Sequence, residues 1–267
     1  MPHSEQESRA SHSWRGKAIW AVVPAAGGGR RFGGDVPKQY AQLNGQAVLA
    51  HSLATLALPA LVEKIVVVLA PGDHFFASIE KPAQCAVSTA VGGNSRAESV
   101  MAGLRSLQDF AAADDWVLVH DAARPLLGRA ALVRLLTALR DDAVGGLLAL
   151  PVHDTVKLAC DKLQGHKESE KTPQVQSVER TLDRQRIWLA QTPQMFRYQL
   201  LCDALQMVLD SYSGDTQSAT DEASAMELAG HRVRLVRGDA QNIKITTQAD
   251  LQLASHYLLC REPSDER

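Results

Sequence analysis

The segment PAAGGGRRFGGDVPKQY, residues 24–40, follows directly on an apolar run from Ala18 to Val23. A β-branched run that breaks into glycines is a strand opening into a turn. Glycines at such a turn let backbone N–H groups come close to phosphate oxygens. Two familiar phosphate loops are excluded by their spacing. In G-x-G-x-x-G begun at Gly27 the third glycine falls on Phe32, and in G-x-x-x-x-G-K-[ST] the pair Gly29 and Gly34 is followed by Asp35. What is left is a glycine loop bearing Arg30, Arg31 and Lys38. That charge suits a triphosphate, and it equally suits a plain glycine-rich turn whose basic side chains face water.

Outward from this loop, short β-branched runs alternate with helical patterns. Strands are expected at Ala18 to Val23, Ile65 to Ala70, Trp116 to His120, Gly146 to Val152 and Val233 to Val236. Helices are expected at Val48 to Leu58, Arg96 to Leu107, Arg129 to Arg140, Tyr198 to Leu209, Asp221 to Ala229 and Gln248 to Leu259. Such alternation predicts an α/β fold, a mostly parallel sheet with helices on both faces. Thr247 and Asp250 fit a capping box, and Gly230 fits a helix stop. The stretch from His153 to Arg184 breaks the rhythm, with GHKESEK between short alternating segments. It reads as a protruding β-arm, with a disordered insertion as the alternative.

The 267 residues are 45% hydrophobic, enough for one sizeable core. A formal charge of −2, from 28 basic and 30 acidic side chains, argues against a general nucleic-acid binder. Cys85, Cys160, Cys202 and Cys260 are scattered and suggest neither a disulfide frame nor a zinc site. No secretory signal and no membrane-length apolar run is visible, so a soluble, cytoplasmic protein is expected. Residues 1–17 are read as a disordered extension, 18–260 as the domain and 261–267 as a tail.

The glycine segment resembles the signature of the 2-C-methyl-D-erythritol 4-phosphate cytidylyltransferase family. Further blocks follow in that family's order: VGGNSRAESV (91–100), VLVHDAARP (117–125), LPVHDTVK (150–157), TLDRQRIW (181–188), QTPQMF (191–196), TDEASAMEL (220–228) and NIKITTQADL (242–251). The resemblance implies a Rossmann-like nucleotidyltransferase sheet and a homodimer whose arm completes the neighbouring active site. It implies transfer of CMP from CTP to the methylerythritol phosphate with release of pyrophosphate, in the non-mevalonate route to isoprenoids. A hydroxyl on the C4 chain is expected to attack the α-phosphate, with Mg²⁺ or another divalent cation as cofactor. Because the chain stops soon after its last helix, it is read as monofunctional.

By the same resemblance, Arg31 and Lys38 stabilise charge on the α-phosphate. Pro24, Ala25, Ala26 and Gly27 line the nucleotide, and Gly29 leaves it room. Gly92, Gly93 and Ser99 read the base, and Asn94 replaces an acidic residue often found there. Asp121 either orients the attacking hydroxyl or holds Mg²⁺, with Ala122 beside it. Arg124, Thr155, Thr220 and Lys244 face the second substrate, while Arg184 and Thr192 reach the partner's site. Lys244 is placed in an apparent strand, Thr220 doubles as a helix cap, and His120 is read as a core residue. His51, His74, His153 and His231 show no ligand spacing. Against this stand another nucleotidyltransferase of the same fold, acting on a sugar phosphate, a sialic acid or the molybdenum cofactor, and a non-catalytic nucleotide-binding protein. A dehydrogenase is the more distant reading, since its fingerprint fails.

Overall fold

The computed structural model describes residues 16–27, 32, 36–59, 61–160, 176–211 and 219–260. The expected extension up to residue 15, the tail from 261, the arm tip over 161–175, and Gly29, Arg30 and Arg31 lie outside the described residues.

Seven strands form the central sheet: β1 (Ile19–Pro24), β4 (Val62–Leu69), β5 (Ala86–Val91), β6 (Trp116–Val119), β7 (Gly145–Pro151), β10 (Trp188–Arg197) and β11 (Arg234–Arg237). Their spatial order is β11-β7-β10-β6-β1-β4-β5. All neighbours are parallel except β10, which runs antiparallel to both β6 and β7. The mostly parallel sheet is therefore as expected.

The apolar runs are continuous because both faces of the sheet are covered. In β1, Ile19, Ala21 and Val23 enter one core, whereas Trp20 and Val22 enter the other. The first face is covered by α1 (Val48–Leu56) and α3 (Arg129–Leu139), the second by α2 (Arg96–Arg105), α4 (Tyr198–Asp210) and α5 (Glu222–Leu228). The hairpin of β2 (Gln42–Leu43) and β3 (Gln46–Ala47) joins α6 (Gln248–Cys260) around a smaller cluster, in which Leu43, Ile245 and Ala254 are buried.

The arm begins as an antiparallel pair, β8 (Val156–Ala159) with β9 (Val178–Leu182), outside the main sheet. Thr247 and Asp250 exchange their capping bonds, and Gly230 takes φ +83° just after α5. Two strands of the central sheet were not expected, nor was the small β2–β3 hairpin. β5 is a half-exposed edge, and β10 carries Gln191, Thr192, Pro193 and Gln194, which mask its strand character. The apparent strand around Lys244 is not one. Ile245 N–H donates to the Ala123 carbonyl at 2.8 Å, a single tie rather than a ladder.

Candidate active site

A cavity of about 250 Å³ opens at the C-terminal ends of β1 and β6, where open α/β sheets bind ligands. Its floor is the chain leaving β1, with Pro24, Ala25, Ala26 and Gly27 on the wall. Ala25 N–H donates to the Val68 carbonyl at 2.7 Å, which holds this turn against β4. Buried Gln39 adds a second tether, its Nε2 donating to the carbonyls of Ala25 at 2.7 Å and Gly27 at 3.2 Å. Gln39 sits in a 3-10 turn, Lys38–Tyr40, that also brings Lys38 to the cavity wall. Tyr40 anchors the turn by donating its hydroxyl to Asp73 at 2.7 Å.

The opposite wall is the loop from β5 to α2. A side chain at Gly92 would place Cβ 2.7 Å from Ala26 Cβ and 2.8 Å from Ser99 Oγ, so only glycine lets this loop approach the first. Gly93, Asn94, Ser95 and Ser99 line the cavity. Ser95 caps α2 by accepting from Glu98 N–H, and Glu98 accepts in return from Asn94 N–H at 2.6 Å. Ser99 donates its hydroxyl proton to the Ser95 carbonyl at 2.9 Å, which leaves its oxygen as an acceptor.

Asp121 stands just beyond β6, 5% exposed, among three cations. Its Oδ1 is 2.6 Å from Arg96 Nη1, and its Oδ2 is 2.9 Å from Lys244 Nζ and 3.3 Å from Arg124 Nε. Burial alone would raise the pKa of this carboxyl. Arg96, Lys244 and Arg124 outweigh burial and hold it far below the ordinary carboxylate range. Arg124 also donates to the Asn242 carbonyl at 2.7 Å, so it faces inward rather than into the cavity.

Behind Asp121 lies a buried polar chain. Thr192 Oγ accepts from Asp121 N–H at 3.0 Å and donates its own proton to His120 Nδ1, also at 3.0 Å. His120 Nε2 must then be the protonated nitrogen, because it meets the Arg124 carbonyl at 3.0 Å and a carbonyl only accepts. Burial pushes the His120 pKa down to about 4, so the ring is neutral and serves as a core residue. This corrects the expectation for Thr192, which is 5% exposed and committed to its own chain, beneath Asp121 rather than in a neighbour's site.

Thr155 and Arg184 lie exposed at the base of the arm, where Arg184 Nη1 donates to the His153 carbonyl at 2.6 Å. They do not line this cavity. Neither does Thr220, and the cap of α5 is Asp221, not Thr220, with Ser224 completing the box. Arg31 and Gly29 lie outside the described residues.

Four side chains carry structural weight here that sequence reasoning missed. Gln39 tethers the glycine turn, and half-buried Arg96 forms an ion pair with buried Glu222. Gln194 bonds both Asp221 and Ala223 N–H, fixing the start of α5 on the sheet. The sequence carried no local signal for them, since Gln39 meets Ala25, Arg96 meets Glu222 and Gln194 meets Asp221 only once the chain is folded.

The donor set does not suit a resident metal. Among the described residues there is no group of three or more His, Cys, Asp or Glu side chains able to hold one. Asp121, the expected ligand, has both oxygens occupied by cations, so a metal there would have to displace a charged partner.

A family model described as 2-C-methyl-D-erythritol 4-phosphate cytidylyltransferase matches residues 19–260. A curated relative of that name from Chromobacterium violaceum is 49% identical, covering 91% of this chain and 98% of its own. One from Dechloromonas aromatica is 45% identical over 91% of this chain and 98% of its own. Among solved structures, a 4-diphosphocytidyl-2C-methyl-D-erythritol synthase superposes with a TM-score of 0.71 at 36% identity, covering 91% of this chain and 99% of that one. The Francisella tularensis 2-C-methyl-D-erythritol 4-phosphate cytidylyltransferase gives 0.71 at 32% identity, over 90% of this chain and 99% of that one.

Proposed function

The chain belongs to the 2-C-methyl-D-erythritol 4-phosphate cytidylyltransferase family, and on that premise we infer its reaction: CMP passes from CTP to 2-C-methyl-D-erythritol 4-phosphate. The products are 4-diphosphocytidyl-2C-methyl-D-erythritol and pyrophosphate, on the route to isoprenoids. The observation that carries this reading is a single cavity walled by the glycine turn, the Gly93 loop, Lys38 and the Asp121–Lys244 pair.

The nature of the product corrects the expected nucleophile. A diphosphate bridge takes one phosphorus from each reactant, so the attacking atom is an oxygen of the 4-phosphate. Attack by a hydroxyl would leave that phosphate as a separate monoester. A phosphate oxygen is already deprotonated at neutral pH and needs no general base. Asp121, with its pKa held far down by three cations, would be a poor one. Its work is to hold Lys244 and Arg124.

The chemistry asked of the protein is then alignment and charge neutralisation. Lys38 faces the α-phosphate from the 3-10 turn, joined by Arg31 from the loop. The Gly92–Ser95 loop and Ser99 hold the cytosine, while Lys244 takes the phosphate of the second substrate. A divalent cation, Mg²⁺ being the natural one, would be carried by the triphosphate oxygens with water, as small hard ions commonly are.

We further propose a homodimer in which Thr155 and Arg184 reach the neighbour's cleft. The support is the arm itself, standing outside the main sheet with Val178 57% and Leu189 58% exposed beside it. No helix among the described residues is long and apolar enough to cross a membrane. As a separate proposal, the reaction takes place in the cytoplasm. Pyrophosphate release from CTP and methylerythritol phosphate, with and without Mg²⁺, tests the reading. Release that needs both substrates supports it, and none under any condition refutes it.

A further inference from the structure

The three basic partners of Asp121 are not equivalent. Lys244 and Arg124 share Oδ2, whereas Arg96 alone holds Oδ1. Arg96 also spends its remaining fork on another carboxylate. Its Nε donates to Glu222 Oε1 at 3.0 Å and its Nη2 to Glu222 Oε2 at 2.9 Å. Glu222 is 1% exposed and is the first residue of α5, whose start Gln194 pins to β10. Arg96 is itself the first residue of α2, directly after the loop that forms the base-side wall.

We propose that Arg96 is a positioning residue: seated bidentately on Glu222, it holds Asp121 with its remaining nitrogen and so fixes Lys244 relative to the base-side wall. This rests on the cytidylyltransferase reading and deepens it.

Three physical points lead there. A cation in the first turn of a helix opposes the helix dipole, so Arg96 is poorly placed for α2 alone and gains its stability from the two carboxylates. Those carboxylates are buried, and a buried carboxylate left without its partner is costly, so the fork and both acids behave as one unit. Finally, only arginine has the planar geometry to grip one carboxylate with two nitrogens while reaching a second with the third. Burial works against its charge, yet Glu222 and Asp121 more than offset that and raise its pKa above the ordinary arginine value. The consequence is mechanical. With Oδ1 fixed, the Asp121 carboxylate cannot turn, so Oδ2 stays aimed at Lys244, whose side chain is 41% exposed and reaches the cavity. Without Arg96 the carboxylate rotates and Lys244 loses its fixed place.

The test is a double-mutant cycle between Arg96→Lys and Lys244→Ala, read as kcat and KM in a pyrophosphate-release assay. Arg96→Lys keeps the charge and loses the fork. It should lower kcat by about ten- to a hundredfold, the scale of a small misplacement of a catalytic group, with KM for CTP nearly unchanged. In the Lys244→Ala background the same change should cost almost nothing further, since the group it positions is gone. Losses that multiply, or an unchanged kcat with only a lower Tm, overturn the proposal. Should Arg96→Lys fail to fold, Glu222→Gln loosens the same grip from the other side and is predicted to give the same non-additive pattern. Wild-type turnover is measured in the same series. Its absence would sink the cytidylyltransferase reading, whereas active wild type with additive losses would sink only the role of Arg96.

Discussion

Lys244 Nζ lies 2.9 Å from Asp121 Oδ2, joining a loop late in the chain to the end of β6. Asp121 therefore meets Lys244, Arg124 and Arg96 together, two carboxylates including Glu222 standing against three cations. The surplus positive charge is exposed to the cavity through Lys244. In the proposed reaction such an ion cluster serves to bind anions rather than to abstract protons.

Asp121→Asn tests that assignment. It keeps the shape and removes the charge, so it should destabilise the fold by about 3 kcal/mol or more, the usual cost of breaking a buried pair. It should also lower kcat. In the wild type, the pH profile of kcat/KM should show no acid limb belonging to Asp121 above pH 5, since its carboxyl titrates far lower. An acid limb that disappears in Asp121→Asn would make it a general base.

Lys38→Ala should reduce kcat by roughly 10²-fold, as loss of one preorganised electrostatic contact does. The turn should remain folded, because Gln39 and Tyr40 anchor it from either side of the cavity wall. Circular dichroism with steady-state kinetics checks both halves. A rise in KM alone would mean that Lys38 binds ground-state phosphate only.

The fold of β1, β4, β6 and β7 was legible because their apolar runs are buried on both faces, and each helix between them turns apolar residues onto the sheet. β10 was hidden by its polar residues. Gln191, Thr192 and Gln194 are buried, but each finds partners that only the folded chain supplies. Arg96 was missed for a related reason. An arginine opening a helix reads as solvated, and its partner Glu222 lies 126 residues away. Thr192 was misplaced because a hydroxyl near the arm says nothing of burial. The glycine turn, Lys38, Asp121 and Lys244 were legible as one site through their blocks, although their contacts were not.

Acid should loosen the fold through His120. Its folded pKa is about 4 against an ordinary 6.5, chiefly through burial. Between those values the unfolded chain binds a proton that the folded chain refuses, so stability falls as pH drops through that window. The contribution is on the order of 3 kcal/mol. Urea titrations at several pH values should show this slope, and His120→Gln should flatten it. An identical slope in the variant would remove His120 from the account.

The shared site is tested by mixing subunits. Lys38→Ala and Arg184→Ala homodimers should each be nearly inactive. Co-refolded at random, about half the dimers are hybrids with one intact site of two, so activity should return to about a quarter of wild type. No recovery, with hybrids confirmed by mass, would place Arg184 in its own subunit's site.

Base selection should be steep. A wall closed by Gly92 against Ala26 leaves a narrow slot, and polar groups set for cytosine reject an analogue lacking the matching donor by several decades in kcat/KM. Comparable turnover of UTP would refute cytosine reading at the Gly93–Ser99 wall.

In the proposed reaction a phosphate oxygen of the second substrate attacks the α-phosphorus of CTP in this cleft. Phosphorus NMR of the enzyme turning over CTP and 2-C-methyl-D-erythritol 4-phosphate with Mg²⁺ tests it most directly. A pair of mutually coupled diphosphate resonances should grow in step with pyrophosphate, while the monoester signal of the substrate disappears. A persisting monoester signal beside a new phosphodiester, or no pyrophosphate at all, would contradict it.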